Sequence, residues 1–253
     1  MFDNKVKRKL YNNEVVIGTF LTMNAPDLVE IMGLCGYDFV VIDCEHGSMT
    51  EESMPHLIRA AEAKDIAPIV RVSDHTPRTI LHALDIGAHG IQVPQIETFD
   101  ETVGIVNSAK YFPLGNRGGA LTRSADYGNI PPGEYFRLAN EHTILVIQCE
   151  TKQALDNLEY IAQVPNIDVI FLGPFDMSIS LGVPSEINHP KVIEAEEKVL
   201  EMSRNYDKIP GIYVRNAEQA MQKMGKGFRY IVMGTDNRVI VQAYKELISP
   251  LQL

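Results

Sequence analysis

The chain has 253 residues, of which 45% are hydrophobic, enough for one or two domains with a sizeable core. Its net charge of -10, from 23 basic and 33 acidic residues, excludes a general nucleic-acid surface, which needs a basic face to neutralise phosphates. Three cysteines without paired spacing argue against a disulfide framework, no apolar run reaches membrane-spanning length, and no apolar segment follows the charged N-terminus; a cytoplasmic protein is expected.

Residues 3–12 read as a short polar helix, and Val15 to Leu21 as a first strand. Pro26, in the first turn of the next segment, opens a helix that Gly36 ends. The run Phe39-Val40-Val41-Ile42 predicts a second strand, buried on both faces. Thr50 starts a helix, Ala67 to Val70 is a third strand with Arg71 at its end, and Thr76-Pro77 opens a third helix. His89 to Val93 is strand four, followed by a helix over 100–110. The long loop from Gly115 to Gly133 is either functional or an excursion with its own helix. Thr143 to Ile147 is strand five, with a helix near 152–162 behind it. Val169 to Leu172 is strand six, followed by a short helix from Asp176 and a longer one over 190–205. Ile209 to Val214 and Tyr230 to Met233 are the last strands, each with a helix after it, over 217–224 and 237–247.

Strands and helices thus alternate with a period of about thirty residues, the spacing of βα units. The pattern predicts a single-domain (βα)₈ TIM barrel over residues 1–253. An open doubly wound sheet is the alternative, but no G-x-G-x-x-G follows any strand.

The ionisable residues gather at strand ends, where barrel active sites form. Asp43, Glu45 and His46 end strand two, and a tight turn lets the Asp43 carboxylate reach the His46 imidazole and orient it as a base. The competing reading is a loop acid and a solvated histidine. Arg71 suits an anionic oxygen, or else forms a structural salt bridge with Asp43 or Glu45. Glu150 and Asp176 end consecutive strands, which in a parallel sheet lie roughly 4.8 Å apart. Two carboxylates at that spacing suit Mg²⁺ or Mn²⁺, with other positions open to water and substrate. The competing reading is a helix cap at Asp176 and a solvated Glu150. Arg117, within Gly115 to Gly119, either closes over an anion or belongs to an ordinary flexible loop. Cys44 and Cys149 read as packing residues. Asp74, His75, Asp85, His89, His56 and His82 read as structural. No lysine ends a strand; Lys152, the nearest, offers no convincing Schiff-base site.

Asp43-Cys44-Glu45-His46-Gly47, the Val70-Arg71 strand end, Gly115-Asn116-Arg117-Gly118, Gln148-Cys149-Glu150-Thr151 and Gly173-Pro174-Phe175-Asp176-Met177-Ser178 together resemble the HpcH/HpaI aldolase family from about residue 14 to 245. The resemblance implies a metal-dependent class II aldolase that cleaves a 4-hydroxy-2-oxo acid to pyruvate and an aldehyde. It implies Glu150 and Asp176 as ligands of Mg²⁺, Mn²⁺ or Co²⁺. It implies Arg71 beside the developing enolate oxygen, and His46 with Asp43 as the base. Gln148 and Gly173 to Asp176 would hold the pyruvate half, with the Phe175 and Asp176 backbone receiving its carboxylate. The family's homohexamers, with a helix exchanged between neighbours, imply the same for the C-terminal helix here. Asp85 matches an acid that reaches a neighbouring subunit's site. Phe175 and Tyr213 depart from smaller or aliphatic family residues, which leaves the aldehyde open. An acyl-CoA lyase of the citrate lyase β or malyl-CoA lyase type, and a non-catalytic keto-acid-binding barrel, are the rival expectations.

Overall fold

All eight expected strands form, and each lies parallel to the next. They are β1 (Val16–Leu21), β2 (Phe39–Asp43), β3 (Ala67–Arg71), β4 (Gly90–Val93), β5 (Ile144–Cys149), β6 (Val169–Leu172), β7 (Ile209–Val214) and β8 (Tyr230–Thr235). β8 pairs back onto β1 through Val16 and Tyr230, closing a barrel. This computed structural model describes residues 4–251. Asp3 of the expected 3–12 helix, and residues 1–3 and 252–253 of the expected 1–253 domain, lie outside the described residues.

Two apolar layers account for the unbroken hydrophobic strands. Phe39, Val41, Ile69, Val146, Phe171 and Tyr230 point into the barrel, whereas Val40, Ile42, Val70, Ile147 and Ile170 point out to the helices. The period-two alternation of a strand carries the inward register upward to the rim. On β2 it runs through Phe39 and Val41 to Asp43, and on β3 through Ala67 and Ile69 to Arg71. On β5 it runs through Ile144 and Val146 to Gln148 and then Glu150. The barrel therefore delivers the rim residues because its core alternates.

The helices are α1 (Lys5–Tyr11), α2 (Pro26–Leu34), α3 (Met54–Ala63), α4 (Pro77–Asp85), α5 (Phe99–Ala109), α6 (Pro132–His142), α7 (Lys152–Asp156), α8 (Leu158–Ala162), α9 (Pro174–Ser180), α10 (Pro190–Asn205), α11 (Ala217–Lys226) and α12 (Asp236–Ile248). The expected polar lead-in helix is a plug: Val6 and Leu10 of α1 are fully buried in the barrel-interior cluster. The long loop carries α6 and a small core of its own, Tyr111, Ala125 and Tyr135. The helix expected near 152–162 is two short ones that meet at Asn157, whose amide donates to the Glu97 carbonyl. α12 buries only Asp236, leaving Val239, Tyr244, Leu247 and Ile248 exposed. Among the described residues, no helix is long and apolar enough to cross a membrane.

Candidate active site

The turn after β2 is built around one carboxylate. Asp43 is almost fully buried, and its Oδ1 accepts the backbone N–H groups of Glu45 and His46, each at 3.1 Å. A Cβ at Gly47 would lie 2.2 Å from the Asp43 carbonyl oxygen, so only glycine permits this fold-back. The same carboxylate accepts from Arg71 Nε at 2.9 Å and Nη2 at 2.6 Å. Asp43 therefore orients Arg71 and the turn backbone instead of the His46 imidazole. The His46 side chain is 68% exposed at the cavity mouth, with its Nε2 3.8 Å from Glu45 Oε2. Arg71 also pairs with Glu45 at 3.1 Å and lies over the Phe20 ring. The salt bridges expected of Arg71 form, and its guanidinium also lines the cavity.

Glu150 is held just as firmly. Its Oε1 accepts the Gln95 backbone N–H at 2.9 Å, and its Oε2 accepts Gln148 Nε2 at 2.6 Å. Gln148 Oε1 in turn accepts from Gln92 Nε2, whose own amide oxygen accepts the Tyr230 hydroxyl. A buried hydrogen-bonded line thus rises through the barrel and ends at the carboxylate. Gln95 makes its contact from a left-handed backbone, φ 54°, a strained conformation of the kind that clusters at functional sites.

Glu150 and Asp176 meet at Gly173. A Cβ there would stand 3.1 Å from Glu150 Oε2 and 3.5 Å from Asp176 Oδ2. Burial pushes the Glu150 carboxyl up to about 7, and the adjacent Asp176 and Glu45 charges act in the same direction. Arg71 is committed to Asp43 and Glu45. The donor set, the buried Glu150 carboxylate and the exposed Asp176 carboxylate facing one cavity, fits a hard divalent cation. Among the described residues, no group of three or more His, Cys, Asp or Glu converges for a metal.

These groups line a cavity of about 300 Å³, with Arg71, Gln148, Glu150, Gly173, Phe175 and Asp176 in its wall. A second cavity of about 260 Å³ reaches the same two acids from the Gln95 side. The expected residues Asp43, His46, Arg71, Gln148, Glu150, Gly173, Phe175 and Asp176 are therefore brought together.

Asp85 is not among them. It ends α4, at the strand-start end of the barrel, and pairs with Arg117 at 2.6 Å. Arg117 itself is buried over the Tyr111 ring, so it closes over no anion at the rim. Lys152 is exposed and paired with Asp156. Burial lowers Lys110 to about 7, but its amine donates to the carbonyls of Asn140 and Thr143, below the start of β5. Burial pushes Cys44 and Cys149 up to about 12, which suits packing residues and not nucleophiles.

Sequence reading passed over Gln92 and Gln95 as site residues, along with Arg215, Thr235 and Arg238 in the far wall of the cavity. Arg215 carries a legible signal, since it directly follows β7 as Arg71 closes β3.

The chain matches the family model described as HpcH/HpaI aldolase/citrate lyase over residues 16–243. It is 31% identical to a 2-keto-3-deoxy-L-rhamnonate aldolase of Escherichia coli, over 98% of this chain and 93% of that protein. A citrate synthase, SbnG, of 32% identity superposes with a TM-score of 0.89, covering 96% of each chain. An HpcH/HpaI aldolase from Desulfitobacterium hafniense, 27% identical, superposes at 0.93 over 97% of this chain and 95% of that one.

Proposed function

This chain belongs to the HpcH/HpaI aldolase/citrate lyase family, and on that footing we propose that its rim cleaves a 4-hydroxy-2-oxo acid reversibly with a divalent cation held by Glu150 and Asp176. It is a class II aldolase, a carbon–carbon lyase that divides a keto acid into pyruvate and an aldehyde. The observation that carries the residue assignment is the meeting of the two carboxylates at Gly173, in a cavity that Arg71 also lines.

When bound between Glu150 and Asp176, Mg²⁺, Mn²⁺ or Co²⁺ would supply a Lewis acid to the keto acid. Gln148 and the Gly173–Asp176 backbone hold the pyruvate half, with the start of α9 receiving its carboxylate. His46 takes the proton of the 4-hydroxyl, directly or through a water. The C3–C4 bond then breaks, C4 becomes the aldehyde carbon, and the bonding pair remains on the pyruvate fragment as its enolate. Arg71, fixed by Asp43 and Glu45, stabilises the charge that develops on the enolate oxygen without having to reorient. C3 then takes a proton to give pyruvate.

The exposed apolar side chains of α12 support its packing on a second copy, in a hexamer with exchanged helices. In that assembly Asp85 serves a neighbour's site. The free cysteines Cys35, Cys44 and Cys149 suit a cytoplasmic enzyme of one domain, 1–253.

The test is pyruvate release from 4-hydroxy-2-oxoheptanedioate before and after EDTA, and after restoring Mg²⁺, Mn²⁺ or Co²⁺. Release should stop with EDTA and return with a cation. EDTA-resistant release removes the cation from the mechanism, and no release from any 4-hydroxy-2-oxo acid removes the aldolase. The resemblance to SbnG favours a second reading, carbon–carbon bond chemistry on citrate or an acyl-CoA; turnover that requires coenzyme A selects it. Pyruvate binding with no turnover selects a non-catalytic binding barrel.

A further inference from the structure

The cavity has two electrostatic halves. Glu150 and Asp176 form one wall, and Arg215 and Arg238 belong to the other, with Tyr213 beside them. Arg215 is the first residue past β7 and continues the inward register of Ile209, Gly211 and Tyr213. Arg238 lies in the first turn of α12, directly after β8.

Neither guanidinium has an ion-pair or hydrogen-bond partner among the described residues. Most other arginines bond to an acid or a carbonyl: Arg71 to Asp43, Arg117 to Asp85, Arg123 to Glu62 and Arg229 to the Leu10 carbonyl. Among the described residues Arg59, Arg78 and Arg204 are likewise unpaired, on α3, α4 and α10, but of these five arginines only Arg215 and Arg238 line the cavity.

Local structure also disfavours cations at these positions. Arg215 immediately precedes Asn216, the N-cap of α11, and Arg238 is in the opening turn of α12. The start of a helix carries partial positive charge, so an unpaired arginine there is destabilising and an anion is stabilising. Tyr213 senses the same field: burial raises its hydroxyl, while Arg238 and then Arg215 act to lower it. The opposing acid on this side, Glu246, lies further along α12 and accepts from Gln242.

We infer that Arg215 and Arg238 form a distal anion subsite, which takes a second acidic group, carboxylate or phosphate, on the aldehyde half of the substrate. This rests on the aldolase reading of the same cavity. The pyruvate half occupies the Glu150–Asp176 wall, and the chain beyond C4 runs toward the arginines. The substrate class is then an acidic 4-hydroxy-2-oxo acid, charged at both ends. Arginine's planar fork of donors suits either acidic group.

Binding separates this inference from catalysis. 2-Oxoadipate and 2-oxohexanoate have the same length and no 4-hydroxyl to support cleavage; only the first carries a distal carboxylate. With Mn²⁺ present, calorimetric titration of the full chain should show 2-oxoadipate binding at least about tenfold tighter than 2-oxohexanoate. In the double variant Arg215→Ala with Arg238→Ala, that ratio should fall toward one. Both side chains are exposed, and a circular dichroism melt checks that the variant folds. A wild-type ratio near one, or a ratio that the double variant leaves unchanged, overturns the subsite.

Turnover distinguishes the two acidic groups. Addition of pyruvate to succinic semialdehyde, to glyceraldehyde 3-phosphate and to butyraldehyde compares carboxylate, phosphate and neutral partners. A preference for either acid that the double variant loses supports the subsite and names its group; no preference for either overturns it. If 2-oxoadipate binds selectively while none of the aldehydes reacts, the subsite stands and the aldolase reading fails.

Discussion

Arg71 and Asp43 are joined side to side, Nε to Oδ1 at 2.9 Å and Nη2 to Oδ2 at 2.6 Å, with the carboxylate 1% exposed. A buried bidentate pair of this kind fixes a guanidinium in one orientation. Asp43→Asn keeps the shape but removes the charge that holds Arg71, and misplacement of a catalytic group by even 1 Å can cost about 10²-fold in rate. Asp43→Asn should therefore lower kcat/KM for pyruvate release by about that factor. Arg71→Lys should not restore it, because an ammonium cannot reproduce the fork. Steady-state kinetics on both variants check this; an Asp43→Asn enzyme of full activity would remove Asp43 from the site.

Glu150→Gln retains the hydrogen-bonding outline but not the charge facing Asp176. Mn²⁺ affinity, read by calorimetry without substrate, should fall at least about tenfold. Gly173→Ala tests the same point sterically, since its methyl would stand 3.1 Å from Glu150 Oε2. If both variants bind Mn²⁺ like the wild type, the cation lies elsewhere.

His46→Ala removes a side chain that is largely exposed at the cavity mouth, so the fold should hold. Loss of a positioned general base lowers kcat by about 10²- to 10⁴-fold. Mn²⁺ binding should remain. Unchanged cleavage would mean that another group, or water alone, takes the 4-hydroxyl proton.

Burial lowers Lys110 to about 7, while an unfolded lysine titrates at about 10.4. Between these values the unfolded chain carries one more proton than the folded one, so stability rises with pH. Below pH 7 both states are protonated and the slope vanishes. Urea denaturation of the wild type and Lys110→Met at pH 6.5, 8 and 9.5 isolates the effect. Stability of the wild type relative to Lys110→Met should climb across this range, and a flat difference would show that Lys110 is unperturbed.

α12 presents Tyr244, Leu247 and Ile248 to solvent within a single chain. If this face seals the proposed hexamer, Leu247→Asp with Ile248→Asp should yield smaller species than the wild type in sedimentation velocity, with the barrel's far-UV spectrum retained. Wild-type size in the double variant would rule out this helix as the contact.

The barrel was legible in the residues because βα alternation is a local pattern. Runs such as Phe39–Ile42 and Ile209–Val214 specify buried strands without reference to anything distant. The rim acids were legible for the same reason, since they terminate those runs. The long segment before β5 was less so: α6 buries only Tyr135, and that against Tyr111 and Ala125 from outside the helix. α1 looked polar because the two residues that plug the barrel are few among its charges.

The sequence by itself determined which residues stand at strand ends, because alternation and strand length are local. The direction of each side chain was a tertiary decision. Asp43 sits three residues from His46 in the chain, yet its carboxylate turns to Arg71, 28 residues away, because β2 and β3 pair Asp43 with Arg71 in register. Glu150 depends likewise on Gln95, 55 residues away, and through Gln148 on Gln92. Closing β8 onto β1 completed the cavity wall that carries Arg238, and hydrogen bonds across a closed sheet have no signature in the spacing of the residues they join.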